Sequence, residues 1–312
     1  MSILKFKPIL KPKLTILPLK YIDLFCGIGS FHYSFEKLGW TCIMACDINP
    51  VSCQTYMANY GQQPLGDICD IDPKQIPYYD ILCAGFPCQS FSNIGKHKGF
   101  NDERGQMFSQ LMKFTKYHQP KVVVLENVPA LLSHDNGQTF IKITNELKNE
   151  GYVVKHNILR CDEYGIPQMR KRLFIIGIRQ DIAITNNLDN LDNLDNSDNL
   201  DNLFDYQSFY KNITLSQYLN QDFSKKTAYT IRCGGRHSSI DNKHNWDGYM
   251  ITVNNVTQEY RLSLDDAKKL QGFPNDFKLS GSNTNQWKQL GNTIPTIFTK
   301  LIGHTINKLK FD

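Results

Sequence analysis

Long apolar runs are missing from this chain of 312 residues: none approaches the roughly 18 consecutive apolar positions that a membrane-spanning helix needs. Near the N-terminus Pro8, Pro12 and Pro18 interrupt any signal-peptide core, so the expectation is a soluble protein that stays in the cytoplasm. Paired-cysteine spacing is missing too. The nine cysteines are odd in number and contain no Cys-x-x-Cys, which speaks against a disulfide framework or a structural metal and for a reducing compartment. Acid is absent from the first twenty residues, where Lys5, Lys7, Lys11, Lys13 and Lys20 stand alone, and residues 1–18 read as a flexible basic tail. Base is absent from Gln180 to Tyr206, which holds seven aspartates. With that stretch at −7 and the whole chain at +5, the remainder carries +12, a balance that suits a polyanionic partner.

What is present is a regular alternation. From Lys20 to about Arg179, strand-like apolar runs (Tyr21–Phe25, Cys42–Cys46, Ile81–Ala84, Val122–Leu125, Leu173–Ile178) alternate with helical patterns such as Pro50–Tyr60 and Met107–Tyr117. This predicts an α/β fold with a doubly wound, mostly parallel sheet covered by helices on both faces. The pattern breaks at Asn187, where Leu-Asp-Asn recurs at 188–190, 191–193, 194–196 and 200–202. A period of three matches neither helix nor strand, and the repeat has too little apolar surface to offset the entropy of ordering, so it reads as a surface insertion. Lys211 to Val256 is polar and fits a smaller second domain, and Thr293–Leu309 reads as a helix returning to the first.

Chemistry gathers at predicted strand ends. Cys88 follows the apolar run Ile81–Ala84 behind Pro87, and Glu126 follows Val122–Leu125. In open α/β sheets the crevice beyond the carboxyl ends of the strands is where ligands bind, so a thiol and an acid are offered there together. Upstream, Tyr21–Phe25 runs into Cys26-Gly-Ile-Gly29, a strand–turn–helix unit whose bare amides suit an anionic group. The position of a third dinucleotide-binding glycine is His32, which disfavours a pyrophosphate and with it a nicotinamide cofactor. Asp47 ends the second strand, where a carboxylate receives ribose hydroxyls, and Asp67 is expected to end a third strand and to receive an adenine amino group. Together these describe an adenosine site for a ligand with a carboxylate-bearing tail, such as S-adenosylmethionine. A thiol beside a methyl donor, with a glutamate opposite, points to cytosine carbon 5, which becomes nucleophilic only after something adds to carbon 6.

Seven blocks stand in order: Asp23-Leu-Phe-Cys-Gly-Ile-Gly29, Gly66-Asp-Ile68, Gly85-Phe-Pro-Cys-Gln-Ser90, Glu126-Asn-Val128, Gln168-Met-Arg-Lys-Arg172, Arg261-Leu-Ser263 through Gln271-Gly-Phe-Pro274, and Gln289-Leu-Gly-Asn292. In identity, order and spacing this set closely resembles the cytosine-5 DNA methyltransferases of restriction–modification type. The resemblance implies a fold like that of other S-adenosylmethionine-dependent methyltransferases. It implies Cys88 as the nucleophile, Glu126 as the acid at ring nitrogen 3, and Arg170 and Arg172 as the pair that fixes the cytosine carbonyl and braces the glutamate. Phe25, Gly27, Gly29, Asp47, Ile48, Asp67, Ile68, Pro87, Met107, Asn292 and Ile294 are then the positions expected to hold S-adenosylmethionine, with no metal required. Asp47 and Ile48 depart conservatively from the family, which commonly has glutamate and an aromatic there.

The loop Ser90 to Arg104, with Lys96, His97 and Lys98, resembles the mobile loop that closes over DNA. A base inside a duplex cannot present its carbon 5 face to a thiol and a methyl donor together, so the target must be flipped out. For base readout the expected stretch is Thr227 to Ser239, where Arg232 and Arg236 suit bidentate contacts to guanine; a plain hairpin turn at Gly234-Gly235 is the other reading. The implied domains are a catalytic S-adenosylmethionine-binding body at 19–180 and 286–312, and a target-recognition domain at 181–285 with a low-complexity insertion at 187–203. The implied partner is double-stranded DNA, acted on by a monomer, and an independently acting cognate endonuclease is compatible with this class. Two other readings stay open: a tRNA cytosine-5 methyltransferase of the same architecture, and a catalytically silent DNA-binding relative.

Overall fold

Runs of apolar residues without alternation become strands covered on both faces. In this computed structural model, which describes residues 18–86, 105–188, 212–233 and 248–311, the chain opens with β1 (Lys20–Leu24), α1 (Ser30–Phe35), β2 (Thr41–Cys46), α2 (Pro50–Tyr60) and β3 (Ile81–Ala84). It continues through α3 (Gly105–His118), β4 (Val122–Asn127), α4 (Gln138–Asn149), β5 (Tyr152–Arg160), β6 (Lys171–Arg179) and α5 (Gln180–Thr185). β3 and β4 are buried along their whole length, as strands are when helices lie on both sides.

The sheet order is β2-β1-β3-β4-β6-β5. β1, β2, β3 and β4 are parallel neighbours, and β6 runs antiparallel to both β4 and β5, so it alone is reversed. Side-chain period two divides the core. Tyr21, Cys83, Val124, Phe174 and Ile176 face one layer with Phe31 and Phe35 of α1 and with Phe298, Leu301 and Ile302 from the C-terminal region. Ile22, Leu24, Leu82, Val123, Leu125 and Ile175 face the other, against Leu111 and Phe114 of α3 and Ile143 and Leu147 of α4. The winding direction reverses between β1 and β3, which opens a crevice at their carboxyl ends.

Three expectations meet a different local structure. Glu126 does not follow β4 but lies within it, opposite Phe174 of β6, because the antiparallel partner carries the ladder on to Asn127. Asp67 does not end a strand. Leu65 makes a single parallel bridge to Cys46, Pro64 before it has no amide to extend the ladder, and the Asp67 carboxylate accepts the Cys69 amide at 2.9 Å to start a 3₁₀ turn. The C-terminal helix is Thr296–Ile306, beginning only after Pro295. It packs on α1: Thr299 Oγ1 donates to the Ser30 carbonyl at 2.9 Å, and a Cβ at Gly303 would stand 2.6 Å from Leu38 Cδ1.

Around the proposed domain boundaries, α5 is packed on the first core through Ile182 and Ala183, and the helix Asn283–Asn292 runs across position 286. The polar region beyond the acidic repeat supplies the helix Leu215–Leu219 and a three-stranded antiparallel sheet of β7 (Asp222–Phe223), β8 (Gly248–Val253) and β9 (Val256–Arg261). No helix among the described residues is long and apolar enough to cross a membrane.

Candidate active site

The turn after β1 is built from backbone that few residues accept. Phe25, Gly27 and Gly29 all have positive φ, at 59°, 54° and 84°. For a bulky residue such as Phe25 that conformation is an outlier of the kind found at ligand sites. Gly29 has a second constraint: its Cβ would stand 2.3 Å from a ring carbon of Tyr60. His32 is part of the same packing. Its ring stacks on Tyr60 at 4.1 Å and its Nδ1 meets Tyr56 Oη at 2.7 Å, which fills the space a third glycine would leave.

A carboxylate does sit on this turn, and it belongs to the chain. Asp47, immediately after β2, accepts the Gly27 amide at 2.8 Å and the Asn49 amide at 2.8 Å. Burial raises its pKa, and those two N–H donors pull it back. Asp47 lines a cavity of about 690 Å³ over the switch point, together with Phe25, Gly27, Ile48, Asp67, Ile68, Met107, Asn292 and Ile294. Gly29 lies behind the wall as the N-cap of α1. Ile48 is 75% exposed at the rim, placed to cover one face of a flat ligand.

Glu126 and Arg172 share the same cavity. Arg172 Nε donates to Glu126 Oε1 at 2.7 Å, and Arg172 Nη1 to the Lys171 carbonyl at 2.8 Å. Burial pushes the Glu126 carboxyl upward, against the opposing charges of Arg172 and Arg170. A proton on this acid is therefore easier to keep than on an exposed glutamate. Gly85 passes close: its Cβ would stand 3.3 Å from Glu126 Oε2. Asn127 Nδ2 donates to the Phe86 carbonyl at 3.1 Å, which fixes the chain two residues before Cys88. Cys88 itself, Pro87, Lys96, His97, Lys98 and Arg236 lie outside the described residues.

Arg170 is brought somewhere else. Its guanidinium, 1% exposed, donates to the carbonyls of Ile231, Gly291 and Thr293 at 3.0, 2.9 and 2.7 Å, and its contact with Glu126 is through charge alone. Burial and then the Arg172 charge push its pKa down to about 9, which leaves it a cation at neutral pH. Arg232 is exposed beside this seam.

Two residues of the site were not singled out from sequence. Asn127 is one. Asp23 is the other: it lines the cavity at 1% exposure, and among the described residues its Oδ2 has no hydrogen-bond partner. Burial, then the charge of Asp47, raises its pKa well above the ordinary value. The signal was available in the run Tyr21-Ile-Asp-Leu-Phe25, where an acid interrupts a strand that is otherwise wholly apolar.

These residues fit S-adenosylmethionine. The cavity is large enough for an adenosine with a short tail, and its carboxylates Asp23, Asp47 and Asp67 match a ligand rich in hydroxyl, amino and cationic groups. Among the described residues, no three His, Cys, Asp or Glu side chains gather to hold a metal ion.

An acid braced by a guanidinium, opening into a cavity at the switch point of a doubly wound sheet, suits an S-adenosylmethionine-dependent methyltransferase. Comparison with known proteins narrows this. The family model of C-5 cytosine-specific DNA methylase matches residues 19–308. Type II methyltransferase M.DsaV of Dactylococcopsis salina is 34% identical over 91% of this chain and 84% of its own length. M.HhaI of Haemophilus parahaemolyticus is 31% identical over 92% and 94%. The Dnmt2 methyltransferase of S. pombe superposes with a TM-score of 0.65 at 20% identity, covering 93% of this chain and 97% of that one, a likeness of fold. The chain belongs to the C-5 cytosine-specific DNA methylases, and it is a DNA (cytosine-5)-methyltransferase.

Proposed function

We propose that this enzyme methylates carbon 5 of one cytosine within a short recognition site in double-stranded DNA, with S-adenosylmethionine as methyl donor and the target base flipped out of the duplex. The observation that carries the reading is the Glu126–Arg172 pair at 2.7 Å inside the cavity at the sheet's switch point. Asp47, Ile48, Asp67, Ile68, Asn292 and Ile294 hold the donor, which when bound supplies the methyl group. The Cys88 thiolate adds to carbon 6 of the flipped cytosine. Glu126, whose buried carboxyl keeps its proton more readily than an exposed glutamate, gives that proton to ring nitrogen 3, which draws electrons away from carbon 6, promotes the addition and leaves carbon 5 as the nucleophilic end of an enamine. Arg172 holds the Glu126 carboxylate in place once the proton has left. After methylation the carbon 5 proton is lost to solvent, the carbon 5–carbon 6 double bond re-forms as the Cys88 thiolate leaves, and the proton on ring nitrogen 3 returns to Glu126.

The type II methyltransferase relatives support a restriction–modification setting in the bacterial cytoplasm; in that setting the proposed enzyme acts as a monomer, with any cognate endonuclease working independently. The test is methylation by the purified protein with labelled S-adenosylmethionine, offering unmethylated genomic DNA and bulk tRNA in parallel, followed by bisulfite sequencing. Label at cytosines of one short DNA motif supports the proposal. Label in tRNA alone, or in neither, overturns it. A Cys88→Ser variant is expected to bind DNA yet transfer no methyl group, and normal turnover by that variant would remove Cys88 from the mechanism.

A further inference from the structure

We infer that Arg170 is a positioning residue that bolts the stretch Ile231–Cys233, on the DNA-reading side, to the backbone on both sides of Asn292, and thereby links DNA affinity to cofactor affinity. The inference rests on the proposed reading of the cavity as the cofactor site and of Arg232 as facing DNA.

Three of the guanidinium's hydrogen bonds run to main-chain carbonyls of two segments remote in sequence. Ile231 is 61 residues away, Gly291 121 and Thr293 123. A planar fork of fixed donors holds such carbonyls in one geometry, which lysine cannot reproduce. Taking a cation out of water is costly, and among the described residues the buried Nε of Arg170 has no hydrogen-bond partner, so the arrangement is suited to joining chain segments rather than to adding stability.

Neighbouring residues continue the seam. Gln168 Oε1 accepts the Ile231 amide at 3.1 Å, while its Nε2 donates to the Leu270 carbonyl at 2.7 Å. Gly291 lies flat against the same stretch: a Cβ there would stand 2.6 Å from the Cys233 amide nitrogen and 2.8 Å from the Arg232 carbonyl carbon. The Cys233 thiol donates to Asn292 Oδ1 at 2.9 Å, so the orientation of a cofactor-wall side chain depends on the stretch that carries Arg232. On the opposite side Ser30 Oγ donates to the Ile294 carbonyl at 2.6 Å, anchoring the wall to the helix after the glycine turn.

Asn292–Ile294 is therefore gripped from both sides, by the cofactor turn and by the approach to the DNA-reading segment. A ligand that orders one side lowers the cost of ordering the other, and the linkage is reciprocal. Arg172, two residues on, touches Glu126 instead. The two arginines thus divide the work: one braces the acid, the other joins the two binding surfaces.

The experiment is calorimetric titration of S-adenosylhomocysteine onto the full chain, with and without a duplex carrying the motif found by bisulfite sequencing. In the wild type the duplex is expected to tighten binding by about fivefold or more. In Arg170→Met that factor falls toward one and the affinity without DNA also drops. Gly291→Ala, which separates the seam while keeping Arg170, shifts the factor in the same direction, and Cys233→Ala does so more weakly. Should Arg170→Met fail to fold, the latter two variants decide. A folded Arg170→Met that keeps the wild-type factor and loses only turnover overturns the inference and makes Arg170 a contact to the base. A wild type that binds both ligands without coupling overturns it as well. A wild type that binds neither overturns the functional reading instead.

Discussion

Gly85 and Glu126 are neighbours across the ends of β3 and β4, with 3.3 Å between Glu126 Oε2 and the place a Gly85 Cβ would take. The glycine before Phe86 and Pro87 is therefore a clearance for the acid as much as a turn residue. Gly85→Ala requires Glu126 or Ile294 to give by a few tenths of an ångström. We expect kcat to fall by about tenfold with the melting temperature little changed, since misplacement by a fraction of an ångström is felt in the reacting geometry. Unchanged kcat in a folded variant would show that Glu126 tolerates the shift.

Glu126→Gln keeps the shape and removes the proton. Turnover is expected to fall by roughly 10²–10⁴-fold, while the dissociation constant for S-adenosylhomocysteine stays as in the wild type. The pH profile carries a second signature. Burial raises the Glu126 pKa and the two arginines only oppose it, so the protonated form persists to higher pH than in a free glutamate. Wild-type kcat should therefore decline as pH rises through the folded pKa, and that limb should vanish in the Gln variant. Its persistence would assign the limb to another group.

Asp23 gives a stability test. Its folded pKa is raised, so the native state holds a proton that the unfolded chain releases; stability is full below the ordinary carboxylate value and declines as pH rises through the folded pKa. Asp23→Asn removes that titration. Thermal melts from about pH 4 to 8 should show a flatter dependence in the variant, with the largest gain over wild type at the high end. Parallel slopes for the two proteins would contradict the assignment. If the carboxylate also meets the cofactor, the same variant binds S-adenosylhomocysteine more weakly.

Residues 189–202 carry most of the Leu-Asp-Asn repeat. Leu188 is best retained, because its amide donates to the Ala183 carbonyl at 2.8 Å and closes α5. Deleting 189–202 should leave the rate of methylation within about twofold of wild type, since surface insertions add little to stability. A dead but folded deletion would give the repeat a role in recognition.

The sheet was legible because buried parallel strands are short apolar runs, and β3 is found at the predicted Ile81–Ala84. The extension of β4 through Asn127 was not, because it depends on an antiparallel partner more than forty residues downstream, at Leu173 and Phe174. The same limit separates the arginines. Arg170 and Arg172 are two apart in one basic motif, and nothing local tells which of them meets the acid. Carbonyls at Ile231, Gly291 and Thr293 decide it. Asp67 misled for the opposite reason: its local preference to cap a turn overrode the strand expected of it.

The hydrogen bond from Ser30 to the carbonyl of Ile294 spans 264 positions. The glycine turn is synthesised long before the Asn292–Ile294 segment that walls the cavity beside it. Loops that long close late and slowly. A nascent chain therefore completes all six strands of the main sheet well before its cavity gains the wall at Asn292–Ile294.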